Sequence, residues 1–318
     1  MKRLVLILAC SLLLCGCSLA ARVSNYPIDA SSPKTAAPSP TPAVAACAAA
    51  PRNQSNVGFG TTDPQTFTEA EQLTGVQATW NLMYPEFGSS FESSAYCESE
   101  ETGAEPILQI DPYHQSIAAI AAGQYDGWIK TWATDAREFG APLIMSFGHE
   151  MNGNWYPWGW THTPAATFVA AWQHIVAIFQ QEGATNVTWM WTVNINRPGS
   201  TVAQPVVAWW PGSQYVGMVG VDGYIRYDTD TWDAVFPNTI QQIRAITSLP
   251  LLLSETGVLI DSTSYSQTAS IFQGVVANNM VGFVWLDENA SKDWQLQDDP
   301  QALAAFKASL PSYEAAGG

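Results

Sequence analysis

The chain has 318 residues, enough for one large domain, and 47% of them are hydrophobic whereas only 13% are charged. The formal net charge of −16 argues against nucleic acid as a partner, because phosphates would be repelled by so acidic a surface. It also disfavours an acidic polysaccharide. A neutral ligand is therefore the expected partner.

The N-terminal segment "MKRLVLILACSLLLCGCSLA" predicts an export signal over residues 1–17. Lys2 and Arg3 precede an apolar stretch, Leu4–Leu14, that is too short to span a bilayer. The following residues resemble a bacterial lipobox with Cys17 as the lipidated residue, although Cys15 is unusual at its position. We expect an exported lipoprotein, extracellular or at the cell surface and anchored through Cys17; simple secretion without an anchor is the alternative.

Residues 18–52 are rich in Ser, Pro and Ala and predict a tether, since they contain too little apolar surface to fold. Residues 53–318 are then the folded domain. Three of the five cysteines lie in the signal region, which leaves Cys47 and Cys97. In an exported protein such a pair suggests one disulfide, with two free thiols as the alternative.

Eight apolar runs in the domain predict β-strands, and most are followed by a helical pattern. The runs lie at residues 56–61, 77–84, 106–111, 142–148, 187–193, 216–223, 250–255 and 281–287. The segment after the second run, "GSSFESSAYCESEETG", has little helical periodicity. The runs are apolar on both faces, as burial between helices and a barrel interior requires. We predict a single α/β domain, a (β/α)8 TIM barrel; a doubly wound sheet would need a Gly-rich phosphate loop that "GFGTTDPQ" lacks.

Two glutamates end strands on opposite sides of this predicted barrel. Glu150 ends the fourth run in "SFGHE", and Glu255 ends the seventh in "LLLSETG". Functional residues of TIM barrels lie at these strand ends, so the two carboxylates are expected to face each other across the mouth. Two carboxylates flanking one bond are the equipment of glycoside hydrolysis, and the 14 Trp and 11 Tyr residues suit stacking on sugars.

Four segments resemble glycoside hydrolase family 26, a retaining family of clan A whose best-known members are β-mannanases. They are "FGHEMNGNWYPWG", "VGVDGYIRY", "PLLLSETG" and "VGFVWLDEN". The resemblance implies that Glu150 is the acid/base and Glu255 the nucleophile. It also implies that Trp155 and Trp285 are sugar platforms and that Tyr224 donates a hydrogen bond to the nucleophile.

The physical roles of these residues follow the resemblance. Apolar rings around Glu150 are expected to raise its pKa by desolvation and keep it protonated. Tyr224 is expected to steady the carboxylate of Glu255 and help keep it ionised. His149, which precedes the acid/base as the family pattern requires, is expected to donate to a sugar hydroxyl, and Asn152 is expected to contact sugar or cap the following turn.

Several neighbouring residues have two readings. Trp158 and Trp160 suit either the core or the sugar site. Asp111 and Asp222 end strands at the same mouth, where a structural role is the first expectation for both. The sequence "HEMNG" is not the zinc motif H-E-x-x-H, because its fifth residue is Gly153. We expect no metal or cofactor, and a monomer by default.

The expected activity is endo-acting hydrolysis of a neutral β-linked polysaccharide, with β-1,4-mannan as first candidate. Many mannanases of the family carry an Arg-Pro pair before the acid/base motif, where this chain has Ser146, Phe147 and Gly148. Mixed-linkage β-1,3-1,4-glucan and β-1,3-xylan are therefore alternative substrates. A barrel that binds carbohydrate without cleaving it is the alternative outside enzymes.

Overall fold

The eight predicted strands close into one parallel barrel in sequence order, which confirms the predicted TIM barrel. The computed structural model describes residues 44–61, 64–197, 201–203, 205–227, 230–259, 264–288 and 294–317, so the predicted signal and lipobox lie outside the described residues. The strands are β1 (Val57–Gly60), β2 (Trp80–Met83), β3 (Glu105–Ile110), β4 (Leu143–Phe147), β5 (Val187–Asn194), β6 (Met218–Asp222), β7 (Leu251–Thr256) and β8 (Gly282–Leu286).

Helices connect the strands and surround the barrel. They are α1 (Pro64–Thr74), α2 (Ser93–Thr102), α3 (Ile117–Ala121), α4 (Asp126–Phe139), α5 (Ala165–Glu182), α6 (Trp232–Val235), α7 (Pro237–Ile246), α8 (Thr268–Ala277) and α9 (Pro300–Ala315). Within the described ranges, no helix is long and apolar enough to cross a membrane.

Helix α2 forms in the segment whose sequence shows little helical periodicity. Only Tyr96, Ser99 and Glu100 of this helix are buried, so it has no continuous apolar face for a pattern to reveal. The helix ends at Gly103, whose φ of 86° is the left-handed conformation that glycine adopts freely. Long-range bonds from the N-terminal segment fix its position instead.

The N-terminal segment is fastened to the barrel by a disulfide and an ion pair. Cys47 and Cys97 form the predicted disulfide, which confirms that expectation. The guanidinium of Arg52 lies 3.1 Å from the buried carboxylate of Glu100. Contacts with the barrel therefore begin before residue 53, the predicted start of the domain.

Side chains alternate between the barrel interior and the layer of helices. The interior cluster consists of Trp80, Leu82, Ile107, Ile144, Met190, Leu252 and Val284. The residues between them along the strands pack outwards against the helices. Near the carboxyl ends, the register of β6 and β7 shifts between Val221 and Asp222, and that of β7 and β8 between Leu253 and Thr256. Such irregularities re-aim side chains, and here they flank Asp222 and Glu255.

Candidate active site

A sharp bend after β4 directs Glu150 into the mouth of the barrel. Gly148 and Glu150 both have a φ of 53°, in the left-handed region. Glycine adopts this conformation freely, whereas for glutamate it is strained and persists only when the surroundings impose it. The backbone N–H of Glu150 donates to the carbonyl oxygen of Thr192 on β5 at 3.1 Å, which holds the bend in place.

Both carboxylate oxygens of Glu150 have fixed donors. The side-chain amide of Asn194 donates to Oε1, and the indole N–H of Trp155 donates to Oε2 at 2.5 Å. Glu150 itself is only 6% exposed. The carboxyl group is therefore held in one orientation by protein groups on both sides.

Asn152 lies beneath this arrangement and has no exposed surface. Its amide donates to the backbone carbonyl of Asn194 at 2.8 Å and accepts from the backbone N–H of Asn194 at 2.9 Å. This corrects the prediction that Asn152 contacts sugar. The chain leaves β5 at Asn194, and the two backbone groups there need partners that Asn152 supplies.

Glu255 ends β7 with one oxygen held and one open. The hydroxyl of Tyr224 donates to Oε2 at 2.7 Å, which confirms the predicted hydrogen bond. Oε1 has no hydrogen-bond partner among the described residues. Nε2 of His149 lies 4.0 Å from this open oxygen. An oxygen without a protein partner is available to attack a bound substrate.

His149 is buried and both its ring nitrogens meet protein groups. Nδ1 lies 2.8 Å from Asp111 and Nε2 lies 3.1 Å from the hydroxyl of Tyr156. Burial disfavours the charged imidazolium, but the carboxylate of Asp111, helped by Glu255 and Glu150, outweighs it and raises the pKa of His149 to about 10. His149 is therefore a cation at neutral pH. Its predicted donation to a sugar hydroxyl stays a prediction.

Burial raises the pKa of both glutamates. For Glu150 the burial effect exceeds the opposing effects of His149, Asn194 and Trp155, which confirms the predicted direction. For Glu255, burial and the negative charge of Glu150 outweigh His149 and Tyr224 and raise the pKa to about 7. The hydrogen bond from Tyr224 lowers the pKa of Glu255, as predicted, and the hydroxyl of Tyr84 lowers it too, but burial outweighs both. Because the negative charge of Glu150 raises the pKa of Glu255, the two carboxyl groups do not ionise independently.

Asp222 is a third carboxyl group in the site and is fully buried. Its Oδ1 accepts from the hydroxyl of Ser254 at 2.6 Å, and Oδ2 has no partner among the described residues. Burial, followed by the charges of Glu255 and Glu150, raises the pKa of Asp222 well above its ordinary value. The raised pKa favours the protonated form of Asp222, which adds no negative charge next to Glu255.

His149, Asp222 and Glu255 each bring one possible metal-ligand atom within 4.8 Å of the others. A metal-bound histidine must be neutral, because an imidazolium has no lone pair to donate. With the pKa of His149 raised to about 10, a metal ion at these residues would have to displace a proton from the imidazole. Their geometry is that of a charge network around two carboxylates.

The predicted platforms Trp155 and Trp285 occupy different environments. Trp155 is 44% exposed at the mouth, as a platform requires, whereas Trp285 has no exposed surface. Trp285 packs edge-on against Phe306 of α9 and donates to the carbonyl of Trp294 at 3.0 Å. This corrects the prediction for Trp285: its neighbour Val284 faces the barrel interior, so strand alternation turns Trp285 towards the helices.

Trp158 also belongs to the core, whereas Trp160 does not. Trp158 is fully buried, stacks on Tyr156 with ring centroids 4.4 Å apart, and donates to the carbonyl of His149 at 2.7 Å. Trp160 is 41% exposed. Of the two tryptophans in "WGW", Trp158 therefore belongs to the core, and Trp160 keeps the sugar-site interpretation.

Sequence reasoning missed three residues of the site: Tyr84, Tyr156 and Asn194. Tyr84 follows β2, and its ring centroid lies 6.0 Å from that of His149. Asn194 is the last residue of β5. A polar or tyrosine side chain at a strand end is a usable signal in a barrel, because all eight carboxyl ends meet at one mouth. Tyr156 carries no such signal, since it lies in a long loop.

The family model of glycosyl hydrolase family 26 matches residues 124–263, a range that includes Glu150 and Glu255. The matched range covers less than half of the chain, and within it the chain is similar to this family. Glu150 and Glu255 thus both lie in the segment that carries the similarity, at the ends of predicted strands.

Curated relatives of this chain include two enzymes with different names. Endoglucanase H of Acetivibrio thermocellus is 29% identical over 222 residues, which cover 65% of this chain and 24% of that protein. Mannan endo-1,4-beta-mannosidase A and B of Caldalkalibacillus mannanilyticus is 30% identical over 92 residues, which cover 27% of this chain and 17% of that protein. The chain therefore matches about a quarter or less of the length of these relatives.

A solved structure shares the fold of this chain. The modular endo-beta-1,4-mannanase from Cellulomonas fimi superposes with a TM-score of 0.63 at 14% identity, covering 80% of this chain and 69% of that chain. At this level of identity, the likeness shows a common barrel.

Proposed function

We propose that this chain is a retaining, endo-acting glycoside hydrolase that cleaves a neutral β-linked polysaccharide, with β-1,4-mannan as the substrate. The observation that carries the proposal is the pairing of Glu150 and Glu255. Both are buried at the mouth, Glu150 in the bend after β4 and Glu255 near the end of β7, and the charge of Glu150 raises the pKa of Glu255. Such a pair supplies one protonated and one ionised carboxyl group for the same bond.

In the first step, Glu150 transfers its proton to the glycosidic oxygen while Glu255 attacks the anomeric carbon. The bond between that carbon and the leaving oxygen breaks, and a glycosyl ester forms on Glu255. Oε1 of Glu255 is the attacking atom, because Oε2 accepts from Tyr224 and Oε1 has no partner among the described residues.

In the second step, Glu150 is ionised and acts as the base. It takes a proton from a water molecule, which attacks the anomeric carbon from the side that the leaving group vacated. The ester bond to Glu255 breaks, so the product keeps the configuration of the substrate. Glu150 ends this step protonated, and Glu255 ends it ionised and ready for the next bond.

His149 supports the charge changes without giving up its own proton. Its positive charge lies 4.0 Å from Glu255 and lowers the pKa of both glutamates. Asp111 keeps the imidazole charged and oriented at 2.8 Å. The attacking group is thus ionised at a lower pH than burial alone would allow.

Two curated relatives support different substrates. The mannosidase supports β-1,4-mannan. Endoglucanase H, which matches more of this chain, supports a glucan, and the sequence Ser146-Phe147-Gly148 in place of an Arg-Pro pair keeps mixed-linkage β-glucan as the second candidate.

The test is a panel of polysaccharides incubated with the purified protein, with reducing ends and product lengths recorded. Galactomannan, lichenan and β-1,3-xylan separate the candidate substrates. A mixture of oligosaccharides from the start of the reaction supports endo action. Binding to a glycan of the panel without any new reducing ends would instead support a non-catalytic carbohydrate-binding barrel.

We further propose that the protein is exported, anchored through a lipid on Cys17, and monomeric. The charged and apolar character of residues 1–17 supports export, and the lipobox-like sequence supports the anchor. Mass spectrometry of the mature N-terminus tests this: a diacylglyceryl cysteine is expected, and an unmodified N-terminus would contradict the anchor. Light scattering of the protein without its first 17 residues tests the monomer.

A further inference from the structure

We propose that Trp160 is a second sugar platform, which binds the glycan on the leaving-group side of the cleavage point and farther out than Trp155. The inference rests on the proposed glycoside hydrolase function and adds a subsite to it. The ligand is one neutral pyranose ring of the polysaccharide chain, stacked by its apolar face on the exposed indole.

The exposure of Trp160 is the first observation. Among the described residues, Trp155, Trp160, Val207 and Tyr227 are the large hydrophobic side chains that are most exposed to solvent. An indole 41% exposed is costly to leave in water without a use. A single exposed hydrophobic residue is ordinary by itself, so the argument depends on how this one is held.

Trp160 is held rigidly in that exposed position. Its indole N–H donates to the carbonyl oxygen of Thr201 at 2.8 Å, across to the loop that follows β5. A second bond joins the same two loops, from the hydroxyl of Thr201 to the side chain of Asn154 at 2.7 Å. The polar edge of the indole is thus satisfied within the protein, which leaves its apolar surface as the exposed part. A platform fixed in advance loses little entropy when it binds.

Trp160 and Trp155 both contact the same glycine. The backbone N–H of Trp160 donates to the carbonyl of Gly153 at 3.0 Å. The ring of Trp155 lies so close to Gly153 that a Cβ there would overlap it. Gly153 therefore places the two exposed tryptophans next to each other in one folded loop.

The side of the site follows from Glu150. The indole N–H of Trp155 donates to Glu150, the residue that protonates the leaving oxygen, at 2.5 Å. A sugar on Trp155 therefore belongs to the leaving group. Trp160 lies farther along the same loop and is fixed to the loop after β5, so we assign it a sugar farther along the leaving chain.

The experiment compares Trp160→Ala with Trp160→Phe, the matched control that keeps an aromatic face but lacks the indole N–H. Hydrolysis is measured on β-1,4-manno-oligosaccharides from trisaccharide to hexasaccharide, and on mixed-linkage gluco-oligosaccharides of the same lengths. The ratio of kcat/KM for the longest chain to that for the shortest is expected to fall about tenfold in Trp160→Ala. This fall corresponds to a loss of about 1.4 kcal/mol of binding free energy at the outer subsite. Trp160→Phe should keep most of this ratio.

An equal loss at all lengths, or no change in the ratio, would overturn the platform and leave Trp160 a structural residue. Binding of the same oligosaccharides by calorimetry separates this inference from the proposed function. One outcome supports the platform and contradicts the proposed hydrolysis. In that case the wild-type protein cleaves no chain but binds long chains better than short ones, and Trp160→Ala loses this preference. Absence of any length preference in binding overturns the platform.

Discussion

Nε2 of His149 lies 4.0 Å from Oε1 of Glu255, and both side chains are buried at the mouth of the barrel. A buried cation beside an unpartnered carboxylate oxygen lowers the pKa of that carboxyl group. Asp111, on the far side of the imidazole, keeps the cation charged. The reaction therefore depends on a residue that need not donate or accept a proton during the cycle.

Replacing His149 by Gln is expected to shift the pH profile of kcat/KM to more alkaline pH. The imidazolium lowers the pKa of both Glu150 and Glu255, so both pKa values rise without it. The pH range in which one glutamate is protonated and the other ionised then moves to more alkaline pH. The double variant His149→Gln/Asp111→Asn is the control, since it avoids leaving the carboxylate of Asp111 buried without its cation. An unchanged profile in both variants would show that His149 does not act on the glutamates.

Replacing Glu150 or Glu255 by Ala is expected to lower kcat by roughly 10²–10⁴-fold or more, with the fold intact. Added azide distinguishes the two roles. In Glu150→Ala, azide attacks the glycosyl ester without needing a base and gives a glycosyl azide of retained configuration. In Glu255→Ala, azide attacks in place of the missing carboxylate and gives the inverted product. The reverse pattern would exchange the assigned roles, and near-normal turnover in either variant would refute them.

Trp285→Ala is expected to reduce stability, and Trp155→Ala to reduce activity. Trp285 is fully buried against α9, so its truncation should cost about 3–5 kcal/mol in the free energy of unfolding. Trp155 is 44% exposed and donates to Glu150, so its loss should leave stability within about 1 kcal/mol while kcat/KM falls. Urea unfolding and kinetics on both variants check this. A specific loss of substrate affinity in Trp285→Ala, at normal stability, would restore it as a platform.

The Asp222→Asn variant is expected to lose less stability than the wild-type protein as the pH rises. The folded pKa of Asp222 lies well above its ordinary value, so between the two values the folded state binds a proton that the unfolded state has released. Stability contributed by this group is complete below its unfolded pKa and falls as the pH rises towards the folded pKa. The variant cannot ionise and should lose less stability between weakly acidic and alkaline pH. Parallel denaturation curves for both proteins at all pH values would contradict a buried neutral acid.

The sequence predicted the barrel and the two carboxylates because both depend on features that are local in the chain. Each strand is a short apolar run, and Glu150 and Glu255 directly follow such runs. Once the barrel closes, its symmetry places both strand ends at one mouth. The hydrogen bond from Tyr224 to Glu255 was also predicted, from the resemblance to the family.

The residues that the sequence misplaced depend on which way a side chain points. The strands are apolar on both faces, so their pattern does not show whether Trp285 faces the interior, the mouth or the helices. For Asn152 the sequence predicts a sugar contact or a cap of the following turn, but the left-handed turn at Gly148 and Glu150 directs its side chain towards β5. The raised pKa of Glu255 likewise arises from burial, which emerges only when distant segments pack together.

The anomeric configuration of newly formed reducing ends is the measurement that tests the central claim most directly. Proton NMR during the first moments of hydrolysis, before mutarotation mixes the anomers, reports the configuration at the cleaved carbon. Double displacement through Glu255 with Glu150 as acid and base predicts that the β-anomer appears first. Initial release of the α-anomer would contradict that mechanism, because it requires direct attack by water.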